Sequence, residues 1–503
     1  MAFDFLNIFF LLLLFFFSFL TVSVFNGRNR SSNNVCHLPP SPPALPVIGH
    51  LHHLLSVPWF KSLQKLGSKY GPLLYLRVFN SPFIVVSSAS FAYEIHRAQD
   101  SNFVSRDAPA IEKSLLFGAY GFVTAPYGSY WKFMKKLTVT ELLGPQALEK
   151  SRCIRGEELE RFRVRLSNKA RKNEIVDVGM EMMKLTNNSI CRMIMGTRCS
   201  EENGEAEQVR ELVTKSFALT KKLLVAATVG RSVKKLGFTL FEKEIIDVSR
   251  RYDELFEKII TEHEQNPNRG NKDMMDIMLE ACREDNAEFQ ITRNHIKSCF
   301  VDFFLGGTDT SAQTTPWIMA EIINNPRVLQ TLRKEIESAL GKPRVIQEID
   351  LPKLPYLQAV VKEGLRLHPP APILSRKTLK DCKVGGFDIR ENTTIIINAY
   401  AIMRDPDSWE NPEEFRPERF SVASSEGEEG VGKEHVLKYL PFGGGRRGCP
   451  GSNLGYIFMG TAVGTMVQCF DWKVNGEKVR IEEAGDMNLT MAHPLECTPL
   501  SRF

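Results

Sequence analysis

Apolar residues return at three- and four-residue intervals through Glu157 to Leu166, Val248 to His263, Asn294 to Met319 and Pro326 to Leu340, the period of a helix with a buried face. Shorter runs at Leu73 to Val78, Phe83 to Val86 and Thr394 to Asn398 have the length and side chains of strands. The pattern predicts a mainly α protein with a minor β-sheet region and no internal repeat. One stretch stands apart: from Phe5 to Phe25 the chain is Phe, Leu, Ile and Val, broken only by Asn7, Ser18, Thr21 and Ser23. It is long enough to cross a hydrocarbon core and lacks the cationic start and small-residue cleavage site of a removable leader. Arg28 and Arg30 follow it, which by the positive-inside rule leaves the rest of the chain on the cytosolic side. One N-terminal transmembrane helix is expected.

The prolines of Leu38-Pro39-Pro40-Ser41-Pro42-Pro43-Ala44-Leu45-Pro46 fix φ and favour an extended, stiff connector. Placed between a membrane span and a globular body, the segment reads as a hinge ahead of a ligand for a proline-binding domain. The expected organisation is an anchor over residues 1–27, a basic and proline-rich hinge over 28–50, and one domain over 51–503. Ser421 to Lys433, rich in Ser, Gly and Glu, reads as a surface loop.

Charge and cysteine content narrow the class. A net charge of +5 on 503 residues, with no basic stripe interleaved with aromatics, offers no footprint for nucleic acid, and none is expected as a partner. The 10 cysteines show no CxxC pairing or disulfide rhythm, which suits free thiols in a reducing compartment. In that compartment the sequons at Asn187, Asn392 and Asn488 are accidental matches.

Cys449 is the exception among these thiols. It lies in Phe442-Gly443-Gly444-Gly445-Arg446-Arg447-Gly448-Cys449-Pro450-Gly451, a glycine-rich turn leading into an apolar helical stretch. Thiolate is the metal-binding form of cysteine, and neighbouring arginines with a helix N-terminus are expected to lower its pKa. Glycines let the turn approach a flat ligand, and Pro450 suits a first helical position. A buried cysteine in a Gly-Arg turn is the plainer reading of this loop taken alone.

Further motifs carry chemistry or support. Phe303-Phe304-Leu305-Gly306-Gly307-Thr308-Asp309-Thr310-Ser311 puts two glycines into a helical pattern, at about 1 kcal/mol each relative to alanine. Close approach of a ligand would account for that cost, as would helix packing. Thr310, four residues after Gly306, can bond its carbonyl and loosen the ladder, and an acid beside an alcohol can organise water for proton delivery. Pro316 follows six residues later and should kink the helix or leave the Ala312 carbonyl without its helical donor. Glu363 and Arg366 share a helix face at i,i+3 spacing, and Phe415-Arg416-Pro417-Glu418-Arg419-Phe420 lies beyond.

Phe442 to Gly451 matches F-x-x-G-x-R-x-C-x-G at every fixed position. With the Gly306–Ser311 stretch, Glu363-x-x-Arg366, Pro417-Glu418-Arg419-Phe420 and Trp131-x-x-x-Lys135 in the same chain order, the sequence is identified as a member of the cytochrome P450 family, the haem-thiolate monooxygenases. The resemblance implies the cytochrome P450 fold, with haem b between a long central helix and the cysteine loop. It makes Cys449 the axial iron ligand and Phe442 part of its loop. Arg447, Arg376 and Trp131 hold the propionates, with Lys135 where the family has arginine, a change that keeps charge and loses the planar fork. Asp309 and Thr310 become the catalytic pair. Glu363, Arg366 and Arg419 become a structural brace, and Phe303, Phe304, Ile373, Leu374 and Leu489 line the substrate pocket.

Ala401-Ile402-Met403-Arg404-Asp405-Pro406, taken with the cysteine loop, is similar to the plant A-type microsomal branch and to crucifer members acting on triterpenoids or flavonoids. That resemblance implies the endoplasmic reticulum membrane, O2, a lipophilic substrate, NADPH-cytochrome P450 reductase and cytochrome b5 as partners. Lys132 and Lys136 are either docking charges for the reductase or ordinary solvated lysines. Two other classes stay open on sequence alone: a haem-thiolate isomerase or dehydratase that does not use O2, and a haem-binding sensor or scaffold without turnover.

Overall fold

The computed structural model describes residues 37–502 apart from 57, 80, 107–119, 124, 199–207, 217, 220–240, 267–271, 285–288, 342–343, 422–436 and 485–487. The expected anchor, the hinge before His37 and most of the Ser421–Lys433 tract lie outside the described residues. Among the described residues no helix is long and apolar enough to cross a membrane.

Helices dominate: α1 (Trp59–Tyr70), α2 (Ser129–Thr138), α3 (Arg152–Lys172), α4 (Val178–Met195), α5 (Glu242–Gln265), α6 (Arg293–Phe304), α7 (Thr310–Asn324), α8 (Pro326–Leu340), α9 (Pro355–Leu367) and α10 (Ser452–Cys469). Strands β1 (Leu73–Val78), β2 (Ser81–Val86), β3 (Val176–Asp177), β4 (Ile373–Lys377), β5 (Cys382–Val384), β6 (Phe387–Ile389), β7 (Thr394–Asn398), β8 (Phe470–Val474) and β9 (Glu496–Ser501) form three small sheets. Their orders are β1-β2-β7-β4, β3-β9-β8 and β5-β6. In the first, β2 and β7 run parallel while β1 with β2 and β4 with β7 run antiparallel. The runs at Leu73 to Val78 and Thr394 to Asn398 are strands over those same bounds.

The Asn294 to Met319 pattern is one central helix, α6 and α7 joined through a π-helical turn at Leu305–Asp309. The widening falls at the two glycines. Pro316 lies inside α7, which continues to Asn324. A Cβ on Gly307 would stand 2.6 Å from Ile190 Cδ1, and one on Gly364 would collide with Ile318 Cγ1. Gly307 therefore admits α4 and Gly364 admits α9 to the central helix, so part of the glycine cost serves helix packing.

The proline segment is laid on the body. Tyr75 N donates to the Pro40 carbonyl at 2.8 Å and His50 N to the Arg77 carbonyl at 2.7 Å. Gly49, at φ +64, passes so close to the Arg77 carbonyl that no side chain fits there. From His37 onward the expected hinge is thus held along β1 by main-chain bonds.

The Glu363–Arg366 pair is fully buried on both sides. Arg366 reaches both Glu363 oxygens, at 2.7 and 2.9 Å. It also donates to the carbonyls of Met403, Pro412 and Glu414. Arg419 Nε donates to Glu363 Oε1 at 3.2 Å, and Arg416 N donates to the same oxygen at 2.9 Å. Spacing alone makes an i,i+3 pair worth tenths of a kcal/mol; burial and the extra carbonyls change its weight. Arg366→Ala leaves the buried Glu363 carboxylate only Arg419 and the Arg416 N–H, takes the donor from three carbonyls, and should cost about 3–5 kcal/mol of unfolding free energy. Denaturant melts would check this, and a loss under about 1 kcal/mol, the scale of a solvated pair, would refute it.

Candidate haem-thiolate active site

The Cys449 loop is shaped by left-handed glycines, Gly443 at φ +70 and Gly445 at φ +68. Its return is closed by Cys449 N donating to the Phe442 carbonyl at 2.9 Å, and the Phe442 ring packs on Tyr456 with centroids 5.1 Å apart. Pro450 lies in the turn and α10 starts at Ser452, so the expected first-position proline stands two residues ahead of the helix. The Cys449 side chain is surrounded by protein yet accessible, so its sulfur opens onto interior space. Burial pushes its pKa up, against the lowering effects of the Gly451 N–H and Arg106. This corrects the expectation of an arginine-depressed thiol: Arg447 is turned to main-chain carbonyls, and deprotonation falls to a coordinating metal cation.

Arg106 stands within electrostatic reach of both Cys449 and Asp302 of the central helix. Asp302, Gly306 and Thr310 recur at four-residue spacing; Gly306 is exposed, Asp302 and Thr310 are half-buried, and a Cβ on Gly306 would meet nothing within 4 Å. Thr310 Oγ1 donates to the Gly306 carbonyl at 2.8 Å, the bond that the spacing predicts. Asp309 is 3% exposed, its carboxyl is pushed up to about 7 by burial, and Gln313 Nε2 donates to its Oδ2.

Three arginines gather beside the loop, Arg376 and Arg447 buried and Arg106 half-buried. Arg447 donates to the carbonyls of Val104, Phe122 and Ala125 and lies 4.4 Å over the Trp131 ring. Trp131 Nε1 also donates to the Phe122 carbonyl. Arg376 donates to the carbonyls of Ser375 and Gly444. Arg106 Nη2 donates to the Arg447 carbonyl. Burial, then repulsion from Arg106 and Arg447, holds Arg376 down to about 9; burial, then Arg106, holds Arg447 down to about 10. Burial also lowers Arg106, against Asp302 and Cys449. Like charges packed this closely inside a fold call for an anionic partner. A dianion with a flat apolar body fits the whole set: guanidinium forks for two carboxylates, a bare Gly306 face for the plate, and a sulfur for its metal.

Lys135 departs from its expected role. Its Nζ donates to the Arg446 carbonyl at 2.9 Å and lies 5.2 Å from the Trp131 ring centre, so it ties α2 to the cysteine loop. Two functional residues escaped the sequence reading. Arg106 stands alone in its stretch without a motif. Asp302 accepts Val123 N at 2.9 Å, and a Cβ on Gly121 would sit 2.5 Å from its Oδ2. Four-residue spacing from Gly306 is the signal that would have found Asp302.

The pocket expectations need correction at four positions. Phe304 is fully buried and stacks on Phe256, with centroids 5.9 Å apart; Phe303 packs on Phe300 at 5.8 Å. Both belong to the buried cluster formed with residues of α4 and α5. Leu489 is fully covered among Phe60, Trp317 and Tyr400. Leu374 and Arg376 share a strand face, where Leu374 carbons approach the Gly443 Cβ position to 3.6 Å. Ile373 alternates to the other face, beside Phe60 and Trp317.

The comparisons agree with this geometry. The cytochrome P450 family model matches residues 39–497. The chain is 56% identical over 504 residues to "Cytochrome P450 705A22" of Arabidopsis thaliana, covering 100% of this chain and 98% of that protein. It is 37% identical over 504 residues to "Beta-amyrin 24-hydroxylase" of Glycine max, covering 98% of each. Among solved structures, a zebra fish cytochrome P450 with abiraterone superposes with a TM-score of 0.72 at 24% identity, over 88% of this chain and all of that one, which shows the fold. The chain belongs to the cytochrome P450 family: it is a monooxygenase whose cofactor is haem b.

Two outcomes test the site. Cys449→Ser should abolish the thiolate signature in the spectrum of the CO complex, and its persistence would exclude Cys449 as ligand. Asp309 is ordinarily an acid of pKa 3.8, so between about pH 4 and 7 the folded chain holds a proton that the unfolded chain has lost, and stability falls as pH rises through that window. Asp309→Asn should accordingly melt higher than wild type at about pH 8, by on the order of a few kcal/mol, with the gap closing near pH 4. A gap independent of pH would place the carboxyl elsewhere.

Proposed function

We propose that this monooxygenase is held at the endoplasmic reticulum membrane by residues 1–27. In this reading it takes electrons from NADPH through NADPH-cytochrome P450 reductase, with cytochrome b5 as a further donor, and oxidises a hydrophobic specialised metabolite. A triterpenoid is the first substrate class and a flavonoid the second. The observation that carries the oxidative reading is the Asp309–Thr310 pair at the π turn: an acid near neutrality beside an alcohol bonded to a widened helix. Bound haem would supply oxygen activation and electron transfer at the metal. The chain's own residues would hold it, through Cys449 on the iron and Arg106, Arg376 and Arg447 on the propionates.

Thr310 keeps its hydroxyl at the Gly306 carbonyl, where it can accept and pass a proton by rotating about Cβ. Asp309, protonated or ionised in similar amounts near pH 7, is matched to proton transfer at that pH. An isomerase or dehydratase has no use for this pair. The substrate class rests on similarity to the protein named as a hydroxylase of β-amyrin, a resemblance of sequence and not of a shown pocket. For the reductase, exposed Arg446 and the partly exposed α2 lysines supply basic charge near the cysteine loop.

Co-expression with a plant reductase and triterpene- or flavonoid-forming enzymes, followed by metabolite profiling, tests the whole reading. Product that requires both NADPH and reductase supports it; none from either class would sink the substrate proposal. Thr310→Ala should keep haem while diverting electrons to hydrogen peroxide, raising peroxide per NADPH consumed several-fold. Unchanged coupling would remove Thr310 from proton delivery.

A further inference from the structure

Among the described cysteines, Cys153 and Cys449 are exposed and the others are buried or half-buried. With Cys449 taken as the iron ligand, Cys153, in the first turn of α3, is the described thiol left open to reagents in solution. Thiolates exchange with disulfides, and access decides which thiols do so.

Cys153 lines a cavity of about 560 Å³ bounded by α3 and the turn before it, residues 344–349 and Thr465 of α10. Gly156, one turn on, lines the same cavity, and a Cβ there would meet nothing within 4 Å, so the space beside the thiol is open. Leu159 and Ile346 give it an apolar floor. Thr465 is fully buried, and its hydroxyl has no hydrogen-bond partner. A buried hydroxyl left unpaired costs about 1–3 kcal/mol, a cost that the amide of a bound ligand removes. An accessible thiol, an unfilled hydroxyl and a bare helix turn thus line one cavity.

The charges at its mouth select the ligand. Each acid there already has a partner: Glu149 pairs with Arg152, Glu160 with Arg163 and Glu348 with Arg155. Arg344 is held by Asp350. Lys150 lines the mouth, is exposed, and has no ion-pair partner among the described residues. The charge left over is positive and suits a carboxylate.

We propose that Cys153 is a thiolation site: the cavity binds a small acidic peptide disulfide of the glutathione type and exchanges with it, leaving the peptide on Cys153 as a mixed disulfide. A peptide carboxylate faces Lys150, a peptide amide meets the Thr465 hydroxyl, and the peptide chain lies over Gly156. The step balances. The Cys153 thiolate attacks one sulfur of the peptide disulfide, a Cys153–peptide S–S bond forms as the old S–S bond breaks, and the other half leaves as a thiolate that takes up the proton Cys153 released. Cys153 is oxidised, the leaving half is reduced, and the peptide disulfide is the oxidant. Excess reduced thiol reverses the exchange.

The test incubates the haem-loaded full chain with oxidised glutathione and, in parallel, with 2-hydroxyethyl disulfide, which is small and uncharged, and locates adducts by proteolysis and mass spectrometry. The glutathionyl group should appear on the peptide carrying Cys153, at a rate that saturates with oxidised glutathione, and should be missing from that peptide in Cys153→Ser. Lys150→Glu and Thr465→Val should each slow glutathionylation of Cys153 by about fivefold or more, the scale of one lost polar contact, with hydroxyethyl transfer to Cys153 kept at its wild-type rate. Gly156→Leu fills the space with a better helix former and leaves the thiol in place; it should slow the peptide reaction too, and it serves as the test where Thr465→Val fails to fold. Glutathionylation confined to other cysteines would overturn the proposal. So would a rate at Cys153 that rises linearly with oxidised glutathione and is unmoved in the folded variants, which would leave Cys153 an ordinary exposed thiol.

Discussion

The buried Glu363–Arg366 pair is the constraint on which the active site leans. One carboxylate and one guanidinium, both removed from solvent, satisfy each other only in part, and the remaining bonds go to carbonyls at Met403, Pro412 and Glu414 and to Arg416 and Arg419. Those partners belong to the irregular chain after β7, where no sheet or long helix fixes the backbone. A buried charge is intolerant of a missing partner, and that intolerance fixes a segment which would otherwise have many conformations. The position of the cysteine loop relative to the central helix inherits this precision.

Cationic groups near the loop divide into two duties. Lys135 and Arg447 direct donors to main-chain carbonyls and so hold α2, Val104, Phe122, Ala125 and the loop together. Arg376 has two such bonds and is pressed by the like charges of Arg106 and Arg447, while Arg106 has one and faces Asp302 and Cys449. A bound haem would thus enter the electrostatic balance of the fold, because two carboxylates held there would relieve the repulsion on Arg376.

Much of this was legible in sequence. Strand runs with β-branched side chains kept their bounds at β1 and β7, and the cysteine loop, the Glu363 pair and the Gly306–Thr310 bond follow from spacing. What failed did so for tertiary reasons. Phe303 and Phe304 looked like pocket walls because they are large and apolar, yet they pack on Phe300 and Phe256 in the core. Of the two outcomes expected at Pro316, a kink or an Ala312 carbonyl without its helical donor, neither ends the helix, and the π-helical widening lies at the glycines, nine and ten residues earlier. The direction of the Cys449 shift was misjudged because adjacency in sequence does not fix where an arginine points. Arg106 has no local pattern, and only the folded chain brings it to Arg447.

The contact between Gly121 and Asp302 joins two positions separated by most of the catalytic half of the chain. With a Cβ at position 121 only 2.5 Å from the carboxylate oxygen, any larger residue there demands that the acid shorten or move, and a change at 302 unties Val123 from the helix. The two positions therefore share one volume, and what stands at 121 sets where the acid at 302 can lie.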